Sequence, residues 1–255
     1  MIKNTYNLQS FMFSIPVFFK KIDEQLFSVN KDRKHEPFRV IVRKEITDHV
    51  TSWRFLILIS IIVLTCLGSV ISVMTGLKEA AIPSGMNNAF FFLKMFTLSD
   101  GTLPSFIVFI SFLGPLLGIS MGFDAINSEQ NKGTLSRIMA QPIHRDYILN
   151  AKFTGSLTVI GLMIMALAFL VMGIGILTLG VPPTPEEFMR IIIFVMLSVL
   201  YVAFWLNLSI FFSVRFRQPA TSAMAGIATW LFLSVFYPLI VNLVTKSMAP
   251  SETAG

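Results

Sequence analysis

The stretch FTGSLTVIGLMIMALAFLVMGIGILTLGVPPTP, residues 153–185, runs for 33 residues without a charged side chain. A helix of about 20 apolar residues crosses the roughly 30 Å hydrocarbon core of a bilayer. The stretch is long enough to span a membrane, and we expect its helix to protrude from the bilayer. Strands of a membrane barrel would alternate in polarity and be about 10 residues long, so the stretch predicts a helix.

Four further charge-free runs flank this one, at 55–77, 101–123, 191–214 and 218–245. The sequence therefore predicts an all-α, polytopic membrane protein with five visible transmembrane helices, at about 55–77, 103–123, 147–180, 185–214 and 219–245. Thr184-Pro185-Glu186-Glu187 has the sequence of a capping box with proline at the first helical position, which should begin the fourth span. Pro219 is expected to open the fifth span and Pro238 to kink it.

Composition supports this assignment and excludes other classes. The 255 residues are 54% hydrophobic and 13% charged, whereas an average soluble domain is about 45–50% apolar and about 25% charged. The mean hydropathy of +0.73 agrees. Intrinsic disorder is excluded because it requires low hydrophobicity. A disulfide scaffold is excluded because Cys66, which we interpret as a packing residue within the first span, is the only cysteine.

The distribution of basic residues predicts the orientation. Sixteen of the 20 Lys and Arg residues lie in 1–54, 124–152 and 215–217. These three segments lie on the same side of the membrane, because two predicted spans separate each of them from the next. The positive-inside rule makes this side cytoplasmic. Residues 1–54 are then predicted to be a cytoplasmic N-terminal segment, 55–245 the transmembrane domain, and 246–255 an extracytoplasmic end at which we expect truncation. The net charge of +6 indicates contact with anionic lipid and not with nucleic acid, because no nucleic-acid-binding motif accompanies it.

The segment Phe38–Trp53 predicts an amphipathic helix that leads directly into the first span. Its apolar residues recur at spacings of three and four: Phe38, Ile41, Val42, Ile46, Val50 and Trp53. The opposite face carries polar residues: Arg39, Arg43, Lys44, Asp48 and Thr51. This pattern is typical of a helix on a membrane surface. Two roles stay open, anchoring the first span and docking a partner.

The loop DAINSEQNKGTLSRIMAQPIHRDYILNAK, residues 124–152, is polar at its start. It has a predicted helical patch at Thr134–Ala140, which Pro142 ends. A loop with its own short amphipathic helix could press against another protein. It could equally lie among lipid headgroups.

Several kinds of chemistry have no sequence signal. No G-x-x-x-x-G-K-[S/T] sequence occurs, so the chain should not hold nucleotide phosphates itself. His35, His49 and His144 appear isolated from one another, which argues against a metal site. The charge-free runs contain no ionisable residue, and ion-coupled transporters usually keep such residues inside the membrane.

A set of residues in the loop resembles a known family. In order along the chain they are Asp124, Glu129, Gly133-Thr134-Leu135, Pro142, Arg145 and Ala151-Lys152. Together with Val42-Arg43-Lys44-Glu45 before the first span, and Ser52, Arg54 and Phe55 at its start, this order is similar to permease subunits of ABC type-2 exporters. The copper-enzyme-maturation and multidrug-type permeases are the most similar subgroups. Ala151 stands where the family often has glycine.

This resemblance implies a function and partners. The chain would be the permease subunit of an exporter in the cytoplasmic membrane of a prokaryote, and not itself an enzyme. It would pair with a second permease subunit, identical or different, and with separate ATP-binding-cassette ATPase subunits. ATP and Mg²⁺ would be bound by those ATPases, and this chain would hold no cofactor and no metal. The family has six spans, so a chain with five visible spans is expected to lack the last one.

The resemblance also implies roles for individual residues. The expected ATPase-coupling loop comprises Asp124, Glu129, Lys132, Gly133, Thr134, Leu135, Pro142, Arg145 and Lys152. The expected contribution of the lead helix comprises Arg43, Lys44, Glu45 and Asp48. Small residues at four-residue spacing, which allow close helix approach, would form a dimer face near the translocation path: Gly114, Gly118, Gly122, Ser222 and Gly226. Ordinary packing within one subunit explains the same spacing equally well.

Two other functions stay open at this point. The chain could be a non-transporting membrane anchor that recruits a soluble partner through the same loop. A secondary transporter is disfavoured because the charge-free runs contain no ionisable side chains.

Overall fold

A computed structural model describes residues 37–53, 55–57, 59–64, 67–68, 93, 96–97, 105–134, 140, 145–179 and 182–248. Its main elements are α1 (Pro37–Val50), α2 (Phe106–Gly122), α3 (Asn127–Asn131), α4 (Arg145–Leu179), α5 (Pro185–Arg215), α6 (Pro219–Leu231), a π-helical segment (Phe232–Phe236) and α7 (Tyr237–Met248). The predicted all-α fold is confirmed. Several predictions lie outside the described residues: the helical patch at Thr134–Ala140 beyond its first residue, most of the first span, and the side chains of His35, Cys66, Leu135, Pro142 and His144.

Within the residues that the structure describes, four helical stretches are long and apolar enough to cross a membrane. They are Phe106–Asn131, Asp146–Leu177, Pro185–Arg215 and Pro219–Met248. Phe38–Val50 and Phe55–Leu64 form a bent pair, at 59° to each other, that would make a fifth span if counted together. The chain is therefore a multi-pass membrane protein, and the predicted second to fifth spans match the observed helices.

The long helices begin where the sequence signals predict. The Thr184 hydroxyl accepts a hydrogen bond from the Glu187 backbone N–H at 3.3 Å, and Glu187 Oε2 accepts one from the Thr184 N–H at 3.0 Å. This reciprocal pair is the capping box of α5. α4 has 35 residues, or roughly 52 Å at 1.5 Å per residue, which is longer than a bilayer core.

Proline changes the hydrogen bonding of two helices. Pro115 in α2 has no N–H, which frees the carbonyl four residues earlier, that of Ser111. The Tyr201 hydroxyl on α5 donates to this carbonyl at 3.1 Å. The π-helical segment Phe232–Phe236 comes just before Pro238. The kink predicted at Pro238 stays a prediction.

Helices α2 and α5 pack closely through the glycines of α2. A Cβ atom added at Gly118 would lie 2.9 Å from the Val202 carbonyl oxygen, and one added at Gly122 would lie 2.9 Å from Ser209 Cβ. Gly114 faces the Val202 side chain in the same way, also at 2.9 Å. Because these three positions are filled by α5 of the same chain, packing within one subunit is the arrangement observed for them.

The centre of the molecule is apolar and is formed mainly by α2, α4 and α5. Its fully buried side chains include Leu117, Ile160, Ile164, Val171, Val202 and Leu206. α1 packs across the first part of α4. This arrangement brings α1, α3 and the start of α4 together at one end of the helices, where the charged residues collect.

Candidate functional site: a buried charge cluster at the start of α4

The approach of α1 to α4 depends on a glycine. A Cβ atom added at Gly155 would lie 2.8 Å from Glu45 Cβ and 3.4 Å from the Val42 carbonyl oxygen. The absence of a side chain at Gly155 therefore lets α1 lie directly against α4. Glu45 points into this contact and is buried, although it belongs to a charged stretch of α1.

Lys152 lies one turn before Gly155 and forms the centre of the site. Its Nζ is 2.8 Å from Glu45 Oε1 and 3.0 Å from Glu129 Oε1. Only 5% of the Lys152 side chain is exposed, against 9% for Glu45 and 15% for Glu129. We call these three residues the Lys152 cluster. A buried charge is tolerated when it is paired and hydrogen-bonded, which is the case for Lys152.

The other charged residues of α1 lie on its exposed side. Lys44 is 57% exposed, and its Nζ is 3.5 Å from Asp48 Oδ2, 3.8 Å from Glu129 Oε1 and 4.0 Å from Glu45 Oε1. Arg43 is also exposed. Of the predicted lead-helix residues, Glu45 alone is buried, and Arg43, Lys44 and Asp48 face outward.

His49 extends the polar contact between α1 and α4. Its Nε2 lies 2.8 Å from the Ser156 hydroxyl. Burial lowers the pKa of His49 below its usual value, and this effect outweighs the opposing attraction of Glu45. α1 therefore places His49 beside the Lys152 cluster, a position that the sequence did not predict.

Helix α3 is held by α5 as well as by Lys152. The Ser213 hydroxyl on α5 accepts hydrogen bonds from the backbone N–H groups of Ile126 and Asn127, at 3.0 and 3.3 Å. The Asn131 side-chain amide donates to the Arg217 carbonyl oxygen at 3.0 Å. The segment after α2 is therefore hydrogen-bonded to Ser213 at its first turn and to Arg217 at its last.

A left-handed turn ends this segment. Gly133 has φ +70°, a conformation that glycine adopts without steric strain. The Gly133 N–H donates to the Gln130 carbonyl at 3.1 Å, and the Thr134 hydroxyl donates to the Glu129 carbonyl at 3.2 Å. Gly133 and Thr134 thus close the turn that follows Glu129.

The structure brings together part of the predicted coupling loop. Asp124, Glu129, Lys132, Thr134 and Lys152 line one cavity of about 350 Å³ with the α1 residues Lys44, Glu45, Asp48 and His49. Arg145 is the first residue of α4, six residues before Ala151. Within the described residues, no group of His, Cys, Asp and Glu side chains has the arrangement of a metal site.

The sequence did not predict that Gly155, Ser156 and Ser213 belong to this site. It also did not predict that Glu45 points inward. For Glu45 a signal was available, since it lies three residues after Val42 and four before His49, on the apolar face of α1. Ser156 lies four residues after Lys152 and so shares its helix face. Ser213 gave no signal, because its partners are on a different helix.

The two residues of α6 that were predicted for the dimer face lie away from the Lys152 cluster. Ser222 and Gly226 are both buried. A Cβ atom added at Gly226 would lie 3.0 Å from the Ile119 side chain of α2. Gly226 therefore contacts α2 of the same chain, as the glycines of α2 contact α5.

Comparison with known proteins agrees with the resemblance in the sequence. The family described as ABC-2 family transporter protein matches residues 39–254. A probable ABC transporter permease protein NosY of Stutzerimonas stutzeri is 31% identical over 160 residues, covering 63% of this chain and 48% of the relative. The protein of the same name from Pseudomonas aeruginosa is 30% identical over 150 residues, covering 56% and 52%. The chain spans about half the length of the curated relatives it matches.

Proposed function

The chain belongs to the ABC-2 family of transporter proteins, and on this premise we propose that it is the permease subunit of an ATP-driven exporter. Its multi-pass helical fold fits this role. Nucleotide binding is assigned to separate ATPase subunits, which would hold ATP and Mg²⁺, since the sequence contains no phosphate-binding loop of its own. We place the protein in the cytoplasmic membrane of a prokaryote, with α1 and α3 on the cytoplasmic side.

The proposal depends mainly on one observation: α1 and α3 both contact the membrane helix α4. Glu45 and Glu129 both bind Lys152, at the start of the 35-residue helix α4. An ATPase that pressed on either element would therefore move α4. The exposed charges next to the cluster, including Lys44 and Asp48, are available to a soluble partner.

A second permease subunit is the proposed neighbour of α6 and α7. Only 6% of the apolar window of this span is buried within the chain, against 56% for the span that contains α2. Two such subunits, identical or different, would form the translocation path between them. This assignment uses the exposed helices, because the glycines of α2 are already covered by α5.

The decisive experiment is copurification followed by reconstitution. The chain is expressed together with candidate ATP-binding-cassette ATPases, purified by a tag on the chain alone, and placed in liposomes. We expect the ATPase to copurify and its hydrolysis to increase in the presence of the chain. ATP-dependent movement of a compound out of the compartment that contains the ATPase would establish export.

A substitution of Glu129 tests whether this region transmits the contact with the ATPase. Glu129→Lys would place a third positive charge beside Lys44 and Lys152, and we expect it to reduce ATPase stimulation while the protein still inserts into the membrane. Asp146→Asn, which changes an exposed charge in the first turn of α4, is the control. Stable ATPase binding without any transport would favour the alternative of a membrane anchor. Transport driven by an ion gradient without ATP would indicate a secondary transporter.

A further inference from the structure

The Lys152 cluster joins parts of the chain that are distant in sequence. Glu45 and Glu129 lie 107 and 23 residues before Lys152. Within the described residues, the carboxylates of Glu45 and Glu129 both form their ion pair with α4 through the ammonium group of Lys152. The electrostatic link between α1, α3 and α4 therefore depends on Lys152.

The two carboxylates differ in how firmly they are held. Glu45 is the more buried of the two and is closer to Lys152, at 2.8 Å. Glu129 lies 3.0 Å from Lys152, on the five-residue helix α3, with a second cation 3.8 Å away at Lys44. Lys44 is mostly exposed and can change its position at small cost. Glu129 Oε1 thus has two cations within 4 Å, one on α4 and one on α1.

An exchange between these partners is energetically feasible. Separating a buried ion pair is costly mainly because it leaves one charge without a partner. When a second cation lies within about 4 Å, the carboxylate can pass from one to the other without being left unpaired. The second carboxylate oxygen of Glu129 is also buried with no hydrogen-bond partner in the described part of the chain.

We propose that Glu129 exchanges Lys152 for Lys44 when the α3 segment moves, while the Glu45–Lys152 pair stays closed. Lys152 is then the positioning residue that holds α3 to α4 in one state, and Lys44 holds α3 to α1 in the other. This inference rests on the proposed function as a permease driven by an ATPase. Its physical basis, two discrete pairings of one carboxylate, is a property of this chain alone.

The first test needs only the purified chain in lipid. Thermal unfolding is measured for Lys44→Met, Lys152→Met and the double variant. Because Lys44 is exposed, its substitution alone should lower the thermal midpoint little. In the Lys152→Met background Glu129 depends on Lys44, so we expect the additional loss from Lys44→Met to be about twice as large or more. Additive losses would overturn the exchange.

The second test measures the movement and keeps Lys152 in place. Spin labels are attached at Gln130 on α3 and Asn150 on α4, both exposed, in a Cys66→Ser background. In the complex with the ATPase, addition of ATP should produce a second distance population. We expect Lys44→Met to reduce this population on the order of tenfold, and Lys44→Arg to restore it.

The outcomes separate the two proposals. If no ATPase binds the chain, the proposed function fails, while the unfolding series still decides whether Glu129 can exchange partners. If the ATPase binds and hydrolyses ATP but Lys44→Met leaves the distance populations unchanged, the exchange is wrong and the proposed function stands. A variant with Asp146→Asn controls for loss of an exposed charge nearby and should behave as the wild type.

Discussion

The Lys152 cluster and the α6–α7 region differ in where their side chains find partners. At the cluster, a lysine that is only 5% exposed binds carboxylates of the same chain. Along α7 and the π-helical segment no residue is buried at all. A buried charge must be paired within the fold because an unpaired one is very costly. An apolar helix can instead contact lipid or another subunit, so the side chains of α7 need no partner within the chain.

The largest difference between the two regions should appear on removal of a lysine. Lys152→Met leaves Glu45 and Glu129 buried without their shared cation and should lower the free energy of unfolding by about 3–5 kcal/mol. Lys246→Met on the exposed helix α7 should change it by about 0.5 kcal/mol or less. Thermal unfolding in lipid or detergent measures both. Equal effects would mean that the Lys152 pairing contributes nothing specific.

Glycine substitutions test whether the close packing of α2 on α5 is as specific as the pairing of Lys152. Gly118→Ala should destabilise the protein by about 1–3 kcal/mol, because the new methyl group would meet the Val202 carbonyl at 2.9 Å. Gly173→Ala in α4 is the control, since no atom lies within 4 Å of the added Cβ. In a helix interior this change should be stabilising, by about 0.5–1 kcal/mol. Denaturation midpoints of the two variants should therefore move in opposite directions.

The pH dependence of stability should report on the polar contact of α1 with α4. Burial lowers the pKa of His49 below the ordinary histidine value of about 6.5, so the unfolded chain binds more protons than the folded one just below that pH. Stability from this residue is complete above pH 6.5 and decreases as the pH falls through this range. His49→Gln should make the decrease smaller when unfolding is followed from pH 8 to pH 5. An unchanged slope would show that other groups cause it.

The smallest effect is expected on the outer surface of α7. Leu243 is 74% exposed in the single chain, so Leu243→Ala should change the stability of the isolated subunit by about 0.5 kcal/mol or less. Leu206→Ala, at a fully buried position, should cost about 2–5 kcal/mol. If Leu243→Ala alters subunit association but not subunit stability, α7 contacts a second subunit. A large loss of stability in the isolated chain would contradict its exposure.

Predictions from the sequence succeeded where one helix decides the outcome by itself. The capping box at Thr184 and the start of α6 at Pro219 both depend on residues within a few positions of each other. The amphipathic pattern of α1 also predicted its helix. It did not show that Glu45 and His49 face α4, because neither residue is apolar.

The charged residues of the candidate site could be named from the sequence, but their pairing could not. The resemblance to the family points to Glu129 and Lys152 as parts of the coupling loop. It points to Glu45 as part of the lead helix. Their meeting at one ammonium group depends on Gly155, which admits α1, and on Ser213, which fixes the start of α3. Neither residue has a recognisable sequence signal, since each acts through a partner on another helix.

Sequence alone determined that this chain enters a membrane as several helices, because the transfer of an apolar segment into lipid depends on its own length and composition. It also determined where the charges lie along the chain. Only the tertiary structure decided which charges are buried together and which glycines are covered by the same chain. The reason is that ion pairs and close packing act over a few ångströms between segments that the sequence separates by as many as 107 residues.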